Sequence, residues 1–237
     1  MDLQEKLANL DKQIDTRTPN KNGLKIRDLR WSVKTAGPSP FNNERVELFL
    51  LGCHKAMSGN PCKGCFNSTT WDNSKALYSH DPILVAKHIN QNAEHKYITI
   101  GGGEPTDQIF DLIILCKELK KYGFHIMVYT WHSVLNIIRE AYLGSENPPN
   151  VVIFNHYFIE LLKYVDIIVD GEFQIHKRLW DGSKEDGFLS SVGSGNQIIW
   201  DIKNRIGYAM EDLCTVKLDK DNNLHFFNKP GAIINKF

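Results

Sequence analysis

The stretch from Cys53 to Asp72, CHKAMSGNPCKGCFNSTTWD, governs how the rest of the chain is interpreted. It follows an apolar run at 46–52 that is typical of a buried strand. Three of the five cysteines lie in it with the spacing C-x8-C-x2-C, at Cys53, Cys62 and Cys65. An ordinary ferredoxin-type cluster takes four cysteines and structural zinc takes four protein ligands. Three thiolates on one loop therefore favour a [4Fe–4S] cluster that leaves one iron open for another ligand.

Other interpretations of the three cysteines stay open. A zinc site could be completed by His54 or by a distant cysteine, or three reduced cysteines could simply cluster. His54 is adjacent to Cys53 and poorly placed to share one tetrahedral centre with it. Cys116 lies on the apolar stripe of a predicted helix, and we expect it, like Cys214, to be a small buried residue.

Composition narrows the class of protein. The chain has 237 residues, of which 42% are hydrophobic and 24% charged, as in an ordinary globular protein. Its formal net charge is zero, so no nucleic-acid or membrane-surface partner is expected. No apolar run reaches about 18 residues, and the first residues lack an apolar signal core. These features predict a soluble, cytoplasmic protein whose clustered cysteines are metal ligands or redox groups.

The pattern of apolar residues divides the chain into three parts. Residues 1–43 are predicted to be an N-terminal extension, with an amphipathic helix over 1–15 and irregular chain over 17–43. Residues 44–210 form the predicted core. Residues 211–237 form a tail in which 215–218 and 224–227 flank a turn at 219–223, as in a β-hairpin.

Strands and helices alternate within the core, which predicts an α/β fold with a mainly parallel sheet, either open or curled into a partial barrel. The predicted strands are 46–51, 97–100, 124–129 and 165–169. One predicted helix begins at Asp81-Pro82, and three others cover 107–122, 133–142 and 156–164. A loop is predicted at 144–150. The cysteine loop, Gly101-Gly-Gly-Glu-Pro105, Thr130-Trp131 and Asp170-Gly171 each follow a predicted strand. Ligands bind at that edge of parallel sheets, so one shared site is expected.

The glycine-rich motif at 101–105 has two interpretations. Glycines allow a ligand to approach the backbone, and Glu104 could accept hydrogen bonds from an ammonium group. The alternative is a plain tight turn. An acidic residue and the lack of G-x4-G-K-[ST] disfavour a phosphate loop. Asp170, Glu172 and His176 are candidate acid–base groups, although such residues are more often solvated at the surface.

Taken together, these motifs resemble the radical S-adenosylmethionine (SAM) enzymes, and among them the activating proteins of anaerobic (class III) ribonucleotide reductase. The resemblance covers about residues 44–202. It depends on the cysteine loop ending Cys62-Lys-Gly-Cys-Phe-Asn67, on Thr70-Trp-Asp72, on Gly102-Gly-Glu-Pro105, and on three further segments, Val128-Tyr-Thr130, Val169-Asp-Gly171 and Gly193-Ser-Gly-Asn-Gln197. It implies a partial (βα)6-type barrel of parallel strands. The N-terminal extension and the C-terminal hairpin make this chain longer than the compact reductase activators.

The resemblance also implies the roles of individual residues. Cys53, Cys62 and Cys65 would hold three irons of a [4Fe–4S] cluster, and the fourth iron would bind the amino and carboxylate groups of SAM. The methionine end would lie against Gly102, Gly103 and Glu104, whereas Gly64, Phe66 and Thr130 would line the adenosyl region. One-electron reduction, from a donor such as flavodoxin, would cleave SAM and give a 5′-deoxyadenosyl radical. That radical would abstract a hydrogen atom from a glycine of the large subunit of the reductase.

One departure from the family pattern concerns the first gap of the cysteine loop. The usual loop is C-x3-C-x2-C, whereas in this chain the first gap has eight residues, His54–Pro61. This insertion is polar, and we expect it to loop out while the same three sulfurs converge. Longer first gaps resemble those of 7-carboxy-7-deazaguanine synthases. A radical SAM enzyme acting on a small molecule or peptide, and a non-catalytic zinc or iron–sulfur binding module, are therefore the alternative functions.

Overall fold

The computed structural model describes residues 23–33, 44–143, 148–177, 193–209, 214–218 and 224–228. The predicted N-terminal helix over 1–15 and the predicted turn at 219–223 lie outside these residues. The strands are β1 (Ile26–Val33), β2 (Arg45–Leu50), β3 (Tyr97–Gly102), β4 (His125–Tyr129), β5 (Ile167–Asp170), β6 (Ile198–Asp201), β7 (Ile206–Ala209), β8 (Cys214–Leu218) and β9 (Leu224–Asn228). The helices are α1 (His54–Met57), α2 (Pro82–Asn92), α3 (Ile109–Lys121), α4 (Val134–Leu143) and α5 (Pro149–Leu161).

The described strands form one nine-stranded sheet in which each strand pairs with its neighbours in the sequence, in the order β1 to β9. Strands β2 to β5 are parallel to one another, and the remaining pairs are antiparallel. The predicted α/β class with a parallel region is therefore confirmed. The predicted C-terminal hairpin is also confirmed, because β8 and β9 pair antiparallel, with Cys214 opposite Asn228.

The helices pack on one face of the sheet. Alternate residues of the parallel strands, such as Leu48, Ile100 and Val128, are fully buried against α2, α3, α4 and α5 in one apolar core. Helix α2 begins as its sequence predicts, since the Asp81 carboxylate accepts the backbone N–H of Ile83 and Pro82 occupies the first turn. This packing leaves the opposite face of the parallel strands free for a cavity.

Two segments differ from the sequence-based expectation. Part of the predicted irregular segment, Ile26–Val33, forms β1 and pairs antiparallel with β2. Register shifts between Ile26 and Asp28 and between Arg30 and Val33 break the alternation by which a strand is recognised. Helix α5 begins at Pro149, inside the predicted loop at 144–150, because proline is well suited to the first turn of a helix.

The insertion between the first two cysteines, which was expected to loop out, contains the short helix α1. Residues His54–Met57 form this helical turn. The Asp107 carboxylate accepts the backbone N–H of His54 and so satisfies one free donor at the start of this turn. No helix in the described part of the chain is both long and apolar enough to cross a bilayer.

Candidate iron–sulfur site

A cavity of about 540 Å³ lies at the carboxyl ends of the parallel strands. Eight of the nine predicted site residues line it: Cys53, Cys62, Cys65, Phe66, Gly102, Gly103, Glu104 and Thr130. The structure thus brings the cysteine loop and the glycine-rich motif to one place, as the position of both motifs after strands predicts. The ninth residue, Gly64, is not part of the cavity wall. A Cβ atom at Gly64 would lie 2.9 Å from the Ile175 side chain.

Cys53 is fixed by the chain that follows the cysteine loop. Its backbone N–H donates to the carbonyl of Trp71 at 2.9 Å, and the N–H of Gly52 donates to the carbonyl of Thr70 at 2.8 Å. Gly52 has a φ of +100°, a conformation that favours glycine. The chain therefore turns sharply after β2 and places the Cys53 side chain, which is 7% exposed as a residue, in the cavity wall.

Gly102 and Gly103 are needed because two loops lie in backbone contact. The N–H of Gly103 donates to the Leu50 carbonyl at 2.9 Å, and the N–H of Glu104 donates to the Gly52 carbonyl at 2.7 Å. A Cβ atom at Gly103 would lie 2.0 Å from the Gly52 oxygen, and one at Gly102 would lie 2.4 Å from the Leu50 oxygen. The glycines thus join the motif after β3 to the cysteine loop after β2, in addition to forming cavity wall.

Glu104 is buried and already has several hydrogen-bond donors. Its Oε1 accepts the backbone N–H of Thr106 at 3.1 Å and the Thr106 hydroxyl at 2.6 Å, and its Oε2 accepts the N–H of Trp131 at 2.9 Å. Burial raises its pKa to about 7, although these hydrogen bonds oppose the shift. Glu104 therefore links the motif after β3 to the chain after β4, where Thr130 accepts the N–H of His132.

Cys62 and Cys65 are joined by a tight turn. The N–H of Cys65 donates to the Cys62 carbonyl at 3.2 Å, and Gly64 between them has a φ of +75°. Phe66 follows directly; it is half exposed and its ring centroid lies 4.8 Å from that of Phe173. Both aromatic rings belong to the cavity wall, next to the thiols.

Burial raises the pKa of two of the thiols. It raises the pKa of Cys53 to about 11 despite a hydrogen bond from the backbone of Ala56, and it also raises the pKa of Cys62. Glu104 and Asp107 add to the shift at Cys53. Metal ligation requires thiolates, so two protons would leave these side chains as a metal group binds.

A surface group among the described residues, Glu44, Glu94 and His95, has possible metal-ligand atoms that all lie within 4.8 Å of one another. The three cysteines are instead brought together as residues of one cavity wall. Thiolates are ligands of iron–sulfur clusters, so this donor set fits such a cluster.

Two further motifs of the sequence meet at this site through Gln197. Its side chain accepts the N–H groups of Gly193 and Ser194 at 3.0 and 3.1 Å and donates to the Gly171 carbonyl at 2.9 Å. Asp170, expected at the surface, is instead 2% exposed. Its carboxylate accepts the N–H of Val134 at 2.7 Å, so it caps the start of α4. Asp170 therefore supports the site and does not face a ligand.

Several residues of the cavity wall were given no individual role from the sequence. Trp131 stacks on His132 with ring centroids 3.8 Å apart, and its buried indole N–H has no hydrogen-bond partner among the described residues. Glu47, Phe49 and Tyr129 also line the cavity. The sequence offered one signal for Glu47: it is a charged residue within an apolar run. Because it alternates with core residues on β2, it had to lie on the face of the strand opposite to the core.

Lys55 lies on α1, and its side chain lies close to the site. Its ammonium is 3.3 Å from the Glu172 carboxylate and 5.4 Å from the centre of the Trp131 ring, and its side chain is 10% exposed. Glu172 acts to raise the pKa of Cys62, whereas Lys55 acts to lower it. Of the candidate acid–base residues, Glu172 is thus paired with Lys55, and His176 is exposed.

Comparison with known proteins identifies the family. The model of the 4Fe-4S single cluster domain matches residues 42–200, more than half of the chain. The chain belongs to the 4Fe-4S single cluster domain family. The matched segment contains the three cysteines and the other motifs at the carboxyl ends of β2 to β5, which supports an iron–sulfur cluster at this site.

Three relatives of this chain are named as activating proteins or activating enzymes. The chain is 27% identical over 159 residues to the anaerobic ribonucleoside-triphosphate reductase-activating protein of Enterobacteria phage T4, covering 62% of this chain and 85% of that protein. It is 24% identical over 163 residues to the Haemophilus influenzae protein of the same name, covering 65% of this chain and 86% of that protein. Pyruvate formate-lyase-activating enzyme of Staphylococcus epidermidis is 29% identical over 146 residues, 58% of this chain and 50% of that enzyme. The predicted resemblance to radical SAM activating enzymes is confirmed.

Proposed function

We propose that this protein reductively cleaves SAM and thereby generates a glycyl radical on an anaerobic ribonucleotide reductase. The observation that carries the proposal is the single cavity in which Cys53, Cys62 and Cys65 meet the glycine-rich motif at 101–105. The phage T4 and Haemophilus influenzae relatives, whose names give that reductase as their target, support the choice of partner.

In this proposal the three cysteines hold the cluster, and the other residues of the cavity wall bind SAM. When bound, the cluster supplies the electron that cleaves SAM. Cys53 and Cys62 lose their protons on ligation, which their burial otherwise resists. The close backbone contacts at Gly52 and Gly103 keep Cys53 in place against the glycine-rich motif.

The proposed SAM subsite has both polar and aromatic parts. Gly102, Gly103 and Glu104 receive the methionine end, and all three line the cavity. The indole N–H of Trp131, which has no partner in the described part of the chain, is a donor suited to a carboxylate. Phe66 and Thr130 form the adenosyl region, with Gly64 shaping the turn before Phe66. A cavity of about 540 Å³ is within the range of small-molecule sites.

The proposal extends to the partners and the organisation of the chain. The substrate is the large subunit of the reductase, and a one-electron donor such as flavodoxin reduces the cluster in the cytoplasm. The parallel strands form part of a (βα)6-type barrel within a core at 44–210, with an extension at 1–43 and a tail at 211–237. The pairing of β1 with β2 makes the extension continuous with the core sheet.

Anaerobic reconstitution tests this function. The full chain is incubated with iron and sulfide, iron and sulfide are counted, and 5′-deoxyadenosine is measured by chromatography after reduction and addition of SAM. We expect about four irons per chain and 5′-deoxyadenosine formation, with both lost in Cys62→Ala. Cys116→Ala is the matched control. Cys116 is buried in the apolar core between the sheet and the helices, so this variant should leave the iron content and 5′-deoxyadenosine formation unchanged.

The partner is tested in a second step. The reconstituted protein is mixed with purified anaerobic ribonucleotide reductase and SAM, and the glycyl radical is detected by electron paramagnetic resonance. A radical that needs SAM and Cys62 supports the assignment. SAM cleavage without a radical on the reductase would refute the proposed partner, and one tightly held zinc without SAM cleavage would refute the radical chemistry.

A further inference from the structure

Lys55 occupies an unusual position for a charged side chain. It lies in the insertion that lengthens the first gap of the cysteine loop, on the helical turn His54–Met57. Although helix α1 is at the surface, the Lys55 side chain is 10% exposed, with its ammonium between the Glu172 carboxylate and the face of the Trp131 ring. Both contacts are favourable to a cation, since aromatic faces and carboxylates attract positive charge. The insertion therefore places a positive charge beside Trp131, a residue of the cavity wall.

Several acidic side chains act on the thiols. Glu104 and Asp107 add negative charge near Cys53, and Glu172 does so near Cys62. Lys55 acts in the opposite direction at Cys62, as a cation. Partly buried charges are poorly screened, so a lysine in this position has a larger effect than one in solvent.

We propose that Lys55 is a positioning residue whose charge sets the reduction potential of the cluster held by the three cysteines. The proposal rests on the cluster assignment made above. Reduction adds one electron, and hence one negative charge, to a cluster whose potential depends on the net charge nearby. The ammonium favours the reduced form over the oxidised form, and the Glu172 carboxylate at 3.3 Å offsets part of this effect. The long first gap thus has an electrostatic role.

A redox titration without SAM tests the proposal. The full-length protein is reconstituted anaerobically, and the reduced cluster is measured by electron paramagnetic resonance at a series of fixed solution potentials. At the midpoint of the wild-type protein, Lys55→Gln should lower the ratio of reduced to oxidised cluster by roughly tenfold, as expected for loss of one poorly screened charge. Lys63→Gln is the matched control, because it removes the same charge from an exposed residue of the same loop and should have a smaller effect.

Two further variants separate charge from loop structure. Lys55→Arg keeps the charge and should keep the wild-type midpoint. Glu172→Gln leaves the ammonium without its carboxylate, so the midpoint should move in the opposite direction, to a more positive potential. If Lys55→Gln takes up no cluster, Glu172→Gln decides, and a midpoint that is unchanged or more negative refutes the proposal.

The outcomes distinguish this inference from the proposed function. Equal midpoints in wild-type protein, Lys55→Gln and Glu172→Gln would show that Lys55 only shapes the loop, and would refute the inference. A wild-type protein that binds no cluster would refute both. A cluster that responds to Lys55 and Glu172 as stated, in a protein that does not cleave SAM, would support the inference while refuting the activase function.

Discussion

Replacing Gly103 by alanine tests whether the two loops must be in backbone contact. The added Cβ would lie 2.0 Å from the Gly52 oxygen, 2.6 Å from the Gly52 carbonyl carbon and 2.9 Å from the Thr70 oxygen. All three are backbone atoms, so no side chain can rotate away, and the loops must separate. Overpacking of this kind costs about 1–3 kcal/mol, and the hydrogen bond from Glu104 to Gly52 contributes about 1 kcal/mol more. We expect the free energy of unfolding to fall by roughly 3 kcal/mol.

The assay is urea unfolding of the iron-free protein under reducing conditions, followed by anaerobic reconstitution and an iron count. Gly101→Ala is the control, because its Cβ would meet a single side-chain atom, Cδ2 of Tyr129, at 3.7 Å. Gly103→Ala should also bind less iron, since displacement of Gly52 moves Cys53. If Gly103→Ala and Gly101→Ala are equally stable and bind equal amounts of iron, backbone contact between the two loops is not the reason for a glycine at position 103.

Two further predictions concern buried charges. Burial raises the pKa of Asp170 to about 6 from its ordinary value of 3.8, so its ionised form destabilises the fold at neutral pH. When the pH falls from 7.5 to 5, the free energy of unfolding of the wild type should rise by about 1.4 kcal/mol more than that of Asp170→Asn. Parallel pH dependences of urea unfolding in the two proteins would contradict this. Arg45 is 1% exposed and donates to the Thr99 hydroxyl at 2.8 Å and the Ile98 carbonyl at 2.7 Å. Arg45→Met should therefore lower the free energy of unfolding by about 3 kcal/mol, with Arg45→Lys recovering only part of it; a methionine variant as stable as wild type would refute this role.

The strands and helices of the core were predictable because local patterns determine them. Apolar runs before a glycine or a polar motif predicted β2 to β5, and the Asp81-Pro82 pair predicted the start of α2. The motifs at the carboxyl ends of these strands could also be placed, because parallel strands present those ends along one edge. This is why the position of eight cavity residues followed from their order along the chain.

The parts that escaped prediction depend on contacts between distant segments. Strand β1 carries charged residues and two register shifts, so its pairing with β2 leaves no alternating pattern in the sequence. The partners of Glu104 include Trp131, which lies 27 positions away. Lys55 could be assigned only after α1 was seen to place it beside Glu172, since the polar composition of the insertion is equally typical of a solvated loop.

The order of the sheet has a consequence for how the protein is made. Because each strand pairs with the one before it in the sequence, every new strand that leaves the ribosome finds its partner already synthesised. Contacts between neighbours in the sequence also favour rapid folding. The cavity wall takes its residues from Arg30 to Gln197, so the site can assemble before the hairpin of β8 and β9 leaves the ribosome. A nascent chain arrested far enough beyond β7 for Gln197 to have left the ribosome should therefore already protect Cys53, which is buried in the fold, from thiol-modifying reagents.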